Sequence, residues 1–256
     1  MSPARQTAVG LALAATILAA WLFLHVYGVF HYRWTPAGCA LAPLYMLAQC
    51  WLGAGLFIVA HDAMHGSLAP GRPALNRAAG RLCLFVYAGF PYDALLPKHH
   101  AHHAHAGGEG DPDFHMAGPR RFWRWYLSFF REYFGWGQFA VIAGVFTLYW
   151  AVLRAPVQNC LLFWAIPAIL SSLQLFVFGT WLPHRHDDEP FADGHNARTL
   201  AYPWWLSLLT CFHFGYHLEH HLSPQTPWWD LPRRRRELAS PPVKPEPATV
   251  AAGAHA

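Results

Sequence analysis

Four stretches of the chain run almost without charge: Thr7 to Val29, Cys39 to Ala60, Trp136 to Leu153 and Cys160 to Leu182. Each approaches the length of about 20 apolar residues that a helix needs to cross a hydrocarbon core of ~30 Å. The first run also invites comparison with a cleaved signal peptide. Its leading segment carries only Arg5, however, and the apolar run is longer than such a region, so a membrane helix is expected. Phe30 to Gly38 reads as a short turn with interfacial aromatics, and Gly66 to Arg77, with Pro70, Gly71 and Pro73, as a loop. Ala78 to Leu96 is apolar but interrupted by Gly80, Gly89, Pro91 and Asp93. It predicts a re-entrant helix, or one buried among the others. Arg120 to Phe134 alternates arginine with aromatics and suits a helix lying at the interface. Pro167 should kink the fourth span, and Ala201 to Phe212 is a short amphipathic approach to the last polar segment.

The pattern predicts an all-α integral membrane protein with about four transmembrane helices plus short re-entrant and interfacial helices. Residues 1–236 form one membrane domain, and the Pro- and Ala-rich 237–256 is expected to be a disordered tail. Composition strengthens this. The chain is 54% hydrophobic and 12% charged, about half the charge of a soluble domain. With the amino terminus in the cytoplasm and four alternating spans, the outer turns hold only Arg33 and Arg154. The other 16 of the 18 Lys and Arg residues then face the cytoplasm, as the positive-inside rule requires. The five cysteines lie apart in apolar surroundings and read as small buried hydrophobes rather than disulfides or zinc ligands. No nucleic-acid partner is expected.

The polar interruptions carry the candidate chemistry. HDAMH places His61 and His65 at i, i+4; KHHAHH places His99, His102 and His103 at i, i+3, i+4; HLEHH repeats that spacing with His217, His220 and His221. On a helix each set shares one face. The assumed topology puts all three sets on the cytoplasmic side. A solvated histidine-rich loop would account for one such cluster, but not for three with helical spacing, each beside an apolar segment. Imidazole suits iron, zinc and copper, and eight imidazoles exceed one coordination sphere, so two metals side by side are expected. There is no HExxH of zinc proteases and no doubled Glu-x-x-His of carboxylate-bridged bundles. The ligands must be nearly all neutral imidazole.

These boxes resemble the membrane fatty-acid desaturase and hydroxylase superfamily. The stretches AHDAMHGSLAP, KHHAHHAH, GDPDFH, GTWLPHR, DGHNAR and SLLTCFHFGYHLEHHLSP, followed by PWWDLP, are similar to bacterial β-carotene ketolases and run from Ala60 to Pro232. The resemblance implies a di-iron site, O2 as co-substrate, and electrons from a reduced ferredoxin or similar donor. It also implies a β-carotene substrate drawn from the lipid bilayer, oxidised at a ring methylene to a ketone, in the bacterial inner membrane. Leu218 departs from the pattern of a second consecutive histidine, but lies about 100° around the helix from His217. A ninth ligand is implied before the last box. His184 in LPHR fits best, with His195 and His213 as rivals. His100 and His105 lie off the second box's face.

Metal-bound imidazoles usually donate their second N–H to a carboxylate or carbonyl. Asp62, Asp93, Asp111, Asp113, Asp193 and Glu219 are candidates, with Asp93 preferred because it follows an apolar helix; Asp93, Asp113 and Glu219 are taken as the catalytic carboxylates. A hydrocarbon substrate predicts a lateral groove walled by Leu56, Phe57, Ala60, Phe90, Leu95, Phe178 and Trp181, which bulk at Ala60 or Gly179 should obstruct. Rival readings are a carotenoid hydroxylase, a fatty-acid desaturase and, from another class, a metal transporter with ligands at the bilayer midplane.

Overall fold

Ser2 and Thr35 begin the first two long helices by the same device. Each side-chain hydroxyl accepts a backbone N–H three residues on, from Arg5 at 3.4 Å and from Gly38 at 3.0 Å, with proline in the first turn. In this computed structural model, which describes residues 1–187 and 189–240, α1 spans Pro3–Val26 and runs on as a π turn, Tyr27–His31. Helix α2 spans Pro36–Met64. Helix α3, Pro73–Ala88, stops at Gly89, whose φ of +68° only glycine adopts without strain. Helix α4, Tyr92–His105, follows at once. A Cβ on Gly80 would lie 2.2 Å from the Tyr92 ring, so a glycine there lets α4 close down on α3. The interrupted apolar run is therefore a helix pair whose first member packs along α2.

Helix α5 spans Phe122–Tyr133, as expected of the Arg-aromatic segment, and α6 spans Trp136–Thr147 with a π extension over Leu148–Val152. The two are bent by 80° across the break, where Gly135 has an extended backbone. Helix α7, Val157–His184, is continuous but contains two π segments, Leu161–Ala165 and Phe176–Trp181. Pro167 follows the first of them, where the looser turn absorbs its missing N–H. The last described helices are α8 (Trp204–Cys211), α9 (His217–Leu222) and α10 (Leu231–Ala239).

Helices α1, α2 and α7 are each long and apolar enough to cross a membrane, and the bent α5–α6 pair is a fourth if counted as one span. The expected third span, Trp136 to Leu153, is thus shorter than a full crossing by itself. Among the described residues there is no strand, only an isolated bridge between Thr199 and Tyr216. The expected tail boundary moves: α10 continues to Ala239, because Glu237 pairs with Arg233 and Arg234 one turn earlier. Residues 241–256 lie outside the described residues.

The starts of α2 and α7 meet at one end of the bundle. The Trp34 indole N–H donates to Asn159 Oδ1 at 2.8 Å, and the Asn159 amide donates to the carbonyls of Val29 and Tyr32. The two helices therefore run the same way, and their carboxyl ends arrive together at the opposite end. The main core follows α2 toward that end, joining Leu56, Val59, Leu84, Tyr87, Leu175 and Phe212.

Candidate metal centre

Helix α2 delivers His61 in its last turn and His65 just beyond it, and α4 delivers His99, His102 and His103. Helix α7 ends on His184, and α9 supplies His217, His220 and His221. The chain reaches α9 through a sharp reversal in which Phe212 and His213 both take positive φ, +47° and +63°. That turn aims a six-residue helix back at the bundle end. The nine imidazoles form two groups. His61, His65, His99, His103 and His220 have ligand atoms all within 4.8 Å of one another, and so do His102, His184, His217 and His221. The groups adjoin: His103 of the first stacks on His221 of the second with ring centroids 4.3 Å apart.

The arrangement fits two cations. The Nε2 atoms of His61 and His184 are buried and make no hydrogen bond. Facing Nε2 pairs stand 2.6 Å apart for His65 and His99, and 3.1 Å apart for His103 with His220 and for His217 with His221. Neutral imidazoles that turn their unprotonated nitrogens inward would aim these lone pairs at a common point, as the ligands of a metal do. Burial and the neighbouring imidazoles push His65 down to about 3 and His103 down to about 2, and hold His99, His217, His220 and His221 well below the ordinary histidine value. These six imidazoles are thus kept in the neutral form that ligates metal.

Outer contacts fix the ring orientations. The His184 Nδ1–H donates to the Asn196 carbonyl at 2.7 Å, leaving Nε2 to face its group. The His102 Nδ1–H donates to Asp111 Oδ1 at 3.0 Å. Burial alone would lower His102, but Asp113 and Asp111 outweigh it and raise the imidazole above its ordinary value. Asp111 is held by the backbone N–H groups of Gly107 and Asp113. Asp62 lies 3.7 Å from His61 Nδ1 and accepts the Trp228 backbone N–H.

Three sequence expectations need correction. Asp93 is not beside the histidines: it is half exposed at the start of α4 and ion-paired with Arg81 at 2.5 Å and Arg77 at 3.4 Å. A carboxylate in a first helical turn is already favoured by the helix dipole, and two arginines of α3 satisfy it there. Glu219 is buried but points away from the metal groups, accepting the Thr199 hydroxyl with Arg235 at 3.9 Å. Asp193 caps the His195 backbone N–H in the preceding loop. Asp113 does reach the site, 3.7 Å from His102, where it accepts the Tyr133 hydroxyl; burial pushes its carboxyl up to about 6. Of the rivals for the ninth position, His195 stops with its ring 6.1 Å from His221, and His213 stacks on Tyr216 instead. His100 and His105 are exposed. Tyr133 and Asn196 were not foreseen. GHNAR gave a signal for Asn196, but nothing marks a tyrosine inside an aromatic-rich helix.

An apolar cavity opens on the groups. His61, His99, His102, His103, His217 and Asp113 close its inner end, and Phe57, Tyr87, Phe90, Leu95, Phe129, Gly179 and Phe214 form walls. The expected groove is partly realised. Phe57, Phe90, Leu95 and Gly179 face the cavity. Leu56 and Ala60 turn into the core, about 100° around α2 from Phe57 and His61. Phe178 lines a separate groove with Leu44 and Trp51, and Trp181 packs on Phe122.

Comparison with known proteins agrees with this geometry. The family model described as fatty acid desaturase matches residues 34–144 and 131–245. A β-carotene ketolase of Paracoccus sp. (strain PC1) is 50% identical over 232 residues, covering 90% of this chain and 94% of that one. The chain belongs to the β-carotene ketolase family within the fatty acid desaturases. A β-carotene ketolase of Haematococcus lacustris is 37% identical across 91% of this chain and 81% of its own length. A chloroplastic omega-6 fatty acid desaturase of Brassica napus is 24% identical over 75% of this chain and 54% of that protein.

Proposed function

We propose that the protein is a β-carotene 4-ketolase. The observation that carries the reading is the joining of two all-histidine groups to an apolar cavity, in a chain half identical to a named β-carotene ketolase. The ring CH2 is hydroxylated twice, and the resulting gem-diol loses water to give the ketone. Each hydroxylation inserts one oxygen atom of O2; the other leaves as water, with two electrons and two protons from a reduced carrier such as ferredoxin. Two irons held by the nine histidines would supply the O2 activation that an unactivated C–H bond demands.

The chain's own residues position and exclude. Asp111 and Asn196 fix His102 and His184 with Nε2 inward. Phe57, Phe90, Leu95 and Phe214 hold the ring and keep water out. Asp113, which accepts the Tyr133 hydroxyl, stands at the cavity wall beside His102 of the second group. The charge asymmetry supports a cytoplasmic site in a bacterial inner membrane. Exposed apolar residues such as Phe23, Leu44, Phe85 and Leu209 support direct contact with lipid. The histidines occupy helix ends rather than a midplane pathway, which disfavours a transporter.

Expression in a β-carotene-producing bacterium, with chromatography of the pigments, tests the reading. Mono- and diketo carotenoids are expected. Hydroxylated carotenoid alone, a new acyl double bond, or unchanged pigment from iron-loaded protein would overturn it.

A further inference from the structure

The cavity at the histidines does not end beneath the ring it would hold. Tyr87, Phe90, Phe130, Phe134 and Ser172 also line a second apolar cavity, which continues between α6 and α7 to Phe146, Cys160 and Leu161. The two adjoin through these shared walls and lie end to end along α7, and a molecule that fills both would treat them as one channel. Its common side is a single stripe of α7: Leu161, Ala165, Ala168, Ser172, Leu175 and Gly179, spaced by three or four residues. From Cys160 to Thr180, at 1.5 Å per residue, the stripe is roughly 30 Å long, a little less through the π segments. Two small residues, Ala165 and Ala168, hold the middle open. The far end lies beside Asn159, at the opposite end of the bundle from every candidate ligand. Helix α6, across the channel from α7, has no buried residue, so that side is loosely closed and can admit a molecule laterally from lipid.

We infer that the whole carotenoid lies along α7, with the ring being oxidised at the histidines and the other ring in a separate site formed by Phe146, Cys160, Leu161 and Trp164. This rests on the ketolase reading and extends it. The occupant is set by length and chemistry. A rigid C40 polyene with a ring at each end is about as long as the hydrocarbon core is thick, ~30 Å, whereas a flexible acyl chain needs no straight channel and no terminal ring site. Among the described residues, only one end of the channel carries a cluster of side chains that could hold a metal. The second ring is therefore oxidised only after the mono-ketone leaves and returns end-reversed, so diketone formation is distributive.

The test compares β-carotene with a C20 molecule bearing one such ring, in membranes carrying the whole protein and supplied with a reduced ferredoxin. Ala165→Phe and Ala168→Phe should each lower ketone formation from β-carotene at least tenfold and leave the C20 substrate within twofold. If the unsubstituted protein oxidises β-carotene but not the C20 molecule, the far contacts are required, which supports the same conclusion. Retention of β-carotene turnover in both variants, or equal loss of both substrates with iron content unchanged, overturns it. A variant that loses iron or membrane level is replaced by the smaller Ala165→Leu, read the same way. With unsubstituted protein, isotope-labelled β-carotene chased with unlabelled mono-ketone should give diketone diluted in label; undiluted diketone overturns the single-ended channel. No ketone of any kind refutes the ketolase reading instead.

Discussion

Asp111 holds His102 through a buried 3.0 Å hydrogen bond, and two backbone N–H groups hold Asp111 in turn. The carboxylate sets the tautomer of the imidazole and strengthens its Nε2 as a donor. Asp111→Ala should lower iron content and ketone formation about 10–100-fold, the usual range for an outer partner of a metal ligand. Asp93→Ala should change either by less than twofold, since it breaks only a surface ion pair. Iron analysis and pigment yield check both.

Alanine at any of His61, His65, His99, His102, His103, His184, His217, His220 or His221 should abolish ketone formation, by more than 100-fold, with the protein still in the membrane. His100→Ala, His105→Ala and His195→Ala should keep most activity. His184→Ala is the sharpest of these. A normal pigment profile from it would remove α7 from the site and leave the second group with three imidazoles.

Purified protein should hold about two irons per chain, since nine imidazoles exceed one coordination sphere. Chelation should abolish turnover, and iron, not zinc, should restore it. One zinc and full activity would sink the di-iron assignment.

Gly179 and Ala60 should separate. A Cβ on Gly179 would lie 2.3 Å from the Phe214 ring in the cavity wall. Gly179→Leu should narrow the cavity, lowering ketone yield or stalling at the mono-ketone, with iron unchanged. Ala60 is fully buried away from the cavity. Its enlargement should instead cost ~1–3 kcal/mol of fold stability by overpacking, read as lower membrane level with the ratio of products unchanged.

The histidine faces were legible because their spacing is a property of one helix, and so was His184, which ends an apolar run. The carboxylates were not. Asp93 and Asp111 look equivalent along the chain, and what separates them is whether an arginine of α3 or a histidine of α4 lies opposite. The groove was half legible for a related reason. Phe57 and Leu56 are adjacent in sequence but about 100° apart on α2, and no periodic signal marks which face meets the cavity when both are apolar. The expected boundary between the interfacial helix and the third span falls at Gly135, where the extended backbone bends α5 against α6; what the sequence did not show is that the second member is too short to cross by itself.

The shared direction of α2 and α7 has an electrostatic consequence. Both long helices, and α4 as well, present their carboxyl ends to the histidines. Each helix end carries roughly half a negative charge from its aligned peptide dipoles. Nine histidine ligands in the neutral form would bring no charge to offset two divalent ions. The helix ends supply part of that field through the backbone, and the carboxylates of Asp111 and Asp113 beside His102 add to it from outside the ligand set. A centre compensated in this way can keep its coordinating atoms uncharged, where carboxylate-bridged bundles place the negative charge in the ligands themselves.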